Sequence, residues 1–225
     1  MKHLLFLLCS VLAVACNENV LDLPDPPPAR LRIVNVTEDV ETLSVMVDSS
    51  ARLTIPRGKA SGFEQAAAGR AISFDLSDGN GQALRRESLY YTLGGDARVL
   101  LFVKGSRTGL IEFRRAIQDT LVDPASPQAF VRFTHMAELT DRGQLVELWV
   151  KGGQRVFPED YLPGITSPKA EPIAPGTYTF ELRESGTTSV LAEWPAMDIR
   201  AGMSVMLYTY DLAPPELDRI GTGSF

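Results

Sequence analysis

The chain has 225 residues, 44% of them apolar and 22% charged, with a formal charge of −6. That apolar share excludes overall disorder. The acidic balance, with no basic stretch interleaved with aromatics, argues against a nucleic acid as partner.

The chain opens on Lys2 and His3, followed by an uncharged, mostly apolar run, Leu4 to Ala15. A basic start, an apolar middle and small residues at the end are the layout of a secretory signal peptide. The run is 12 residues long, and a bilayer-spanning helix needs about 20, so a permanent transmembrane anchor is not expected. Ala13, Val14 and Ala15 lead directly into Cys16. This junction resembles the lipobox of bacterial lipoproteins, although Ala13 stands where that pattern usually has leucine. The resemblance implies that the leader, residues 1–15, is removed and that Cys16 is lipidated with a diacylglycerol and a fatty acid such as palmitate. Two or more acyl chains hold a protein stably at a membrane, where one alone does so marginally. The only other cysteine, Cys9, lies inside the leader. Cys16 would otherwise be an odd thiol in an exported chain. Asn17 is not the aspartate that retains some lipoproteins at the inner membrane, which favours the outer membrane.

Residues 16–28 form the expected tether. From Asn17 the sequence reads NENVLDLPDPPPA, in which three acidic residues crowd together with four prolines. Consecutive prolines hold extended polyproline geometry and make a semi-rigid spacer.

The remainder reads as two tandem copies, residues 29–122 and 123–225. ARLRIVNV from Ala29 matches AFVRFTHM from Ala129, with Arg32 and Arg132 in equivalent places. LSVMVDSS from Leu43 matches VELWVKGG from Val146. AGRAISFDL, ending at Leu76, matches PGTYTFELR, ending at Arg183, and LGGDARVLLFV from Leu93 matches IRAGMSVMLYT from Ile199. Four matches in the same order point to a duplication. Period-two alternation rich in Val, Ile, Phe, Tyr and Thr makes these segments strands. The expected fold is all-β: two tandem immunoglobulin-like antiparallel sandwiches of about seven short strands each. SDGNGQ (77–82) reads as a hairpin turn, FEQAAAGRA as one short helical turn, and DRIGTGSF at the end as an edge strand.

The copies resemble the bacterial domain of unknown function 4397 family. Ala129, Val131, Arg132 and His135 match its opening strand, and Pro175, Gly176, Thr177 and Tyr178 its middle. The first copy departs, with Asn35 in place of the histidine and Gly69-Arg70 in place of Gly-Thr-Tyr. The resemblance implies an exported β-sandwich and no established chemistry.

Residues able to do chemistry are few. His135 is the sole histidine after the leader, so any Ser-His-Asp arrangement would need it. It shares a face with Phe133 and reads as a packed, hydrogen-bonded histidine, with Asn35 as its counterpart. Asp75, Asp78 and Asn80 lack the remaining ligands of a calcium loop, and no metal or other cofactor is expected. The acids Glu38, Asp39 and Glu41, and Glu159 and Asp160, are the carboxylates a glycosidase-like hydrolase would draw on. Arg32 and Arg132 alternate away from the core, which places them on a wet face. Tyr90, Tyr91, Trp149, Tyr161, Trp194, Tyr208 and Tyr210 are available for a binding surface, with Trp149 and Trp194 assigned to the second core. FPEDYLPG (157–164) reads as a loop inserted in the second copy, and its Phe157 and Tyr161 are the expected ligand contacts. The function expected is a noncatalytic, membrane-anchored envelope module that binds a glycan or a protein or acts as a structural spacer. The alternative is a carboxylate-based envelope hydrolase.

Overall fold

A computed structural model describes residues 25–49, 51–84, 91–116, 123–138, 145–212 and 220–225. The leader and Cys16 lie outside the described residues. The first copy runs β1 (Ala29–Asn35), β2 (Thr42–Val47), β3 (Ala51–Pro56), β4 (Lys59–Ala60), β5 (Glu64–Ala66), β6 (Ala71–Ile72), β7 (Phe74–Asp78), β8 (Tyr91–Thr92), β9 (Arg98–Lys104) and β10 (Glu112–Ala116). The second runs β11 (Ala129–His135), β12 (Val146–Val150), β13 (Ile165–Thr166), β14 (Glu171–Ile173), β15 (Gly176–Tyr178), β16 (Phe180–Glu184), β17 (Val190–Glu193), β18 (Met197–Ile199), β19 (Ser204–Asp211) and β20 (Ile220–Ser224). The chain is all-β, and its sheets pack as sandwiches. FEQAAAGRA holds no helical turn: Glu64–Ala66 is β5, paired to the edge of β1. DRIGTGSF does supply an edge strand, β20 on β19.

The duplication is visible in the pairing. β1 is flanked by β4 and β5 on one side and β9 on the other, with β10 beyond. β11 is flanked likewise by β13 and β14, then β19, with β20 beyond. Leu31 pairs with Val99 and Val131 with Val205, so the register is the same in both copies. These central pairs are parallel, whereas an antiparallel sandwich was expected throughout. The first and last long strands of each copy lie side by side and run the same way, which the long intervening chain permits.

Alternation then sets two buried faces. Leu31, Ile33, Val99, Leu101 and Val103 join Leu43, Val45, Phe74 and Leu76 in the first core. Val131, Phe133, Val205 and Leu207 join Leu148, Phe180 and Trp194 in the second. The opposite faces of β1, β9, β11 and β19 meet each other: Val34, Val36, Leu100 and Phe102 pack with Met136, Met206 and Tyr208 in a third cluster between the copies. Burial on both faces is why RVLLFV and SVMLY read as almost continuous apolar runs. Here Arg32 and Arg132 depart from the expected wet face. Arg132 is 5% exposed. The Arg32 guanidinium lies between the rings of Phe63 (4.1 Å) and Phe225 (4.6 Å). Both arginines line a cavity of about 40 Å³ between the copies, room for an ordered water or two.

Candidate functional site

A groove of about 400 Å³ lies open on the outer face of the β3–β2–β7 sheet. That volume falls in the range of small-ligand sites. Its floor follows from alternation: Leu43, Val45, Phe74 and Leu76 point to the core, leaving Ser44, Met46, Asp75 and Ser77 outward. Ser44 pairs with Ser77 across the strands, and Met46 with Asp75. Arg52 of β3 walls one side, its Nε donating to Ser44 Oγ at 2.9 Å, and Gly81 and Ala83 of the following turn wall the other.

The second copy repeats this register with different side chains. Glu147 pairs with Arg183 and Trp149 with Glu181, at the places of Ser44–Ser77 and Met46–Asp75. There the surface is filled. Arg183 lies over the Trp149 ring at 4.6 Å and binds Glu181 at 2.6 Å. Glu147 accepts from Trp149 Nε1 (2.8 Å), Arg155 Nη1 (3.1 Å) and Gly186 N (3.2 Å). Trp194 is in the second core as expected, but Trp149 is on this outer face. The groove itself was missed from sequence. The signal was present in the aligned copies, where two serines and a methionine replace a glutamate, an arginine and a tryptophan.

The expected ligand contacts Phe157 and Tyr161 are not at a surface. Each is 1% exposed and packed in the second core, edge-on to one another at 5.6 Å, with Tyr161 edge-on to Phe133 at 5.2 Å. The reason is topological. Residues 155–161 are not an insertion; isolated bridges of Arg155 to Trp149 and Tyr161 to Val146 hold them beside β12, as β3 lies beside β2. Their aromatics fill the core as Ile55 does in the first copy. The Tyr161 hydroxyl is buried without a hydrogen-bond partner, and burial pushes its pKa up. An unsatisfied buried hydroxyl costs roughly 1–3 kcal/mol. Tyr161→Phe is therefore expected to raise stability by about 1 kcal/mol, read as a higher urea midpoint; a lower one would mean that the hydroxyl has a partner in solution.

His135 is fully buried. Its Nδ1 shares a 2.7 Å hydrogen bond with Thr209 Oγ1, which also accepts from Met136 N at 3.2 Å. Desolvation, with Lys104 nearby, pushes its pKa down to about 4. Asn35 is its structural counterpart, donating to the Val40 and Ile55 carbonyls at 3.1 and 3.0 Å.

Asp78 is also buried, at 1% exposure. Its carboxylate closes the 77–82 turn through Asn80 N and Gln82 N and pairs with Arg107 at 3.0 Å. Asp75 lies out in the groove, apart from it. Three of the five candidate carboxylates are likewise committed. Glu41 pairs with Arg57 (2.7 Å), Asp39 accepts from Arg107 N (2.6 Å), and Asp160 is held by Arg155 and Ser185 Oγ (2.6 Å). Tyr90 lies outside the described residues.

No model of a known protein family matches the chain, and no curated protein does. Among solved structures it is similar to the TIE protein of Bacillus anthracis, at 11% identity and a TM-score of 0.26, covering 83% of this chain and 34% of that one. It is also similar to a leucine-rich repeat protein from Bacteroides thetaiotaomicron, at 15% identity and a TM-score of 0.20, covering 86% and 26%. The chain thus spans a minor part of each, and neither likeness carries an argument about its function.

Proposed function

We propose that this chain is a noncatalytic binding module of the cell envelope, held through a lipid on Cys16 at the outer membrane, with the groove over β3–β2–β7 as its ligand site. The observation that carries the reading is the contrast between the copies. One register covers the second copy with Glu147, Trp149, Glu181 and Arg183 locked together, and lines a groove in the first with the shorter Ser44, Met46, Asp75 and Ser77. Hydroxyls, a carboxylate and the Arg52 guanidinium along one trough suit a hydroxyl-rich ligand such as a glycan chain. The hydrolase reading is less well supported because most of the residues it would use are spent on structure: His135 is buried on Thr209, and Asp39, Glu41 and Asp160 are held by neighbours. The junction at Ala13–Cys16 and the exported-sandwich resemblance of residues 129–135 and 175–178 support the location.

Two substitutions test the reading. Cells fed an alkyne fatty acid are expected to label the native chain and keep it in the membrane fraction, whereas Cys16→Ala loses the label and is released. Ser44→Glu with Met46→Trp reproduces the filled surface of the second copy; it is expected to abolish binding on a bacterial glycan array while leaving the melting temperature within a few degrees. Label on the Cys16→Ala chain sinks the anchor, and array binding that survives the filled groove sinks the site.

A further inference from the structure

The large apolar side chains left exposed among the described residues fall mostly at one end of the molecule. The tether arrives at Ala29, with Pro26 and Pro27 against the Gly69 and Gly95 turns. β1 runs away from it, and β9 runs parallel to β1. Leu110, 41% exposed, lies in the β9–β10 connection and so at the far end. The second copy is aligned the same way, since Lys104 at the end of β9 meets Glu138 beyond β11 (2.5 Å) and Asp211 at the end of β19 (3.8 Å). Ile165, 47% exposed, pairs with His135 at that end.

Leu145 (42%), Leu162 (46%) and Val190 (48%) join it there. Backbone hydrogen bonds link them into a rim. Ser185 N donates to Leu145 O (2.9 Å), Val146 and Tyr161 exchange bonds (3.0 and 2.9 Å), and Ile165 N donates to Leu162 O (3.2 Å). Val190 pairs with Arg183 in the hairpin that carries Ser185. Of the exposed large hydrophobics, Met203 (38%) is at the tether end.

An exposed apolar patch bounded by polar residues marks an interaction surface. Its border is acidic: Glu138, Glu159, Asp160 and Glu184 stand within a few residues of the rim. The neighbouring cations do not cancel this charge, since each is set against two carboxylates: Lys104 against Glu138 and Asp211, and Arg155 against Asp160 and Glu147. We infer that this rim docks a protein segment whose apolar side chains are flanked by lysine or arginine. Charge complementarity steers such a segment to an acidic border. An anionic lipid surface is repelled by the same border, and the rim faces away from the tether.

This inference does not depend on the groove or on Cys16. The full chain, in nanodiscs of phosphatidylcholine, is panned against a random dodecapeptide library, in parallel with a Leu162→Asp, Ile165→Asp variant and with Met203→Asp. The expected result is enrichment of peptides that combine apolar residues with lysine or arginine. Their affinity should fall at least about tenfold in the double variant and in high salt, and stay unchanged in Met203→Asp. Matching thermal melts establish that the variants are folded. The inference is overturned if enriched peptides lack basic residues, if the double variant binds them as well, or if nothing is enriched. It is also overturned if the rim substitutions instead abolish binding to anionic vesicles or self-association in sedimentation.

Discussion

Replacing Tyr208 by alanine is expected to cost about 3–5 kcal/mol, the range for truncating a fully buried aromatic, and to loosen the two sandwiches from each other. Tyr208 is fully buried in the cluster between the copies. Its ring meets Phe102 of the first copy edge-on at 5.5 Å and Phe225 at 5.8 Å. Its hydroxyl donates to the Gly58 carbonyl at 2.9 Å. Beneath the ring lies Gly223, its cross-strand partner, where a Cβ would stand 2.4 Å from the ring. The truncation therefore opens a cavity between the copies and strips a buried carbonyl of its donor at once. In a chain of this size each kcal/mol moves the melting temperature by about 2–4 °C, so a fall of roughly 10 °C is expected by calorimetry. Tyr208→Phe, which keeps the ring, should lose only about 1 kcal/mol. If the alanine variant melts within a degree or two of the native chain, the copies are not coupled through this contact.

That coupling bears on what the sequence made legible. Strand identity was legible because alternation at Leu31, Ile33, Val131 and Phe133 is strict, and the duplication because the same alternation recurs in order. The partner of the second face was not. Arg32 and Arg132 alternate away from the core, and alternation alone cannot tell solvent from a second sandwich. The stronger clue lay in the continuous apolar runs of β9 and β19, which leave no wet face. Parallel pairing of β1 with β9 escaped for a related reason: side-chain pattern fixes the face of a strand and is silent on the direction of its neighbour.

The site failed at one particular place. Proline-flanked FPEDYLPG carries the composition of a loop, yet Phe157 and Tyr161 bury themselves because residues 155–161 take the place of β3. Tertiary packing overrode local turn chemistry there. The groove, by contrast, was hidden by ordinary residues: serines and a methionine signal nothing until the filled surface of the second copy stands beside them. His135 was read correctly as packed and hydrogen-bonded, since a lone histidine on the face of Phe133 has the core for its surroundings.

His135 also gives the chain a predicted pH response. Its pKa lies near 4 in the folded chain against an ordinary 6.5. Protonation would add a second N–H to a buried ring whose Nε2 has no partner, beside the Lys104 charge. The folded state therefore resists the proton that the unfolded chain accepts once pH falls below about 6.5. Stability contributed by neutral His135 is intact above that pH, declines between about 6.5 and 4, and levels off when both states are protonated. The total loss is on the order of 3 kcal/mol. Other groups pull against this: burial raises the pKa of Glu38 and Asp211, so their protonation in acid favours the folded chain. A His135→Asn variant, carrying the side chain that the first copy uses at Asn35, leaves those carboxylates in place and removes only the imidazole. Urea unfolding of both chains at several pH values between 8 and 4 should show that the native chain loses more stability than the variant, with the gap opening below about 6.5 and reaching roughly 3 kcal/mol near pH 4. Parallel curves would mean that His135 meets a proton acceptor in the folded protein, and that the second copy's core is wetter around it than its packing against Phe133 and Thr209 implies.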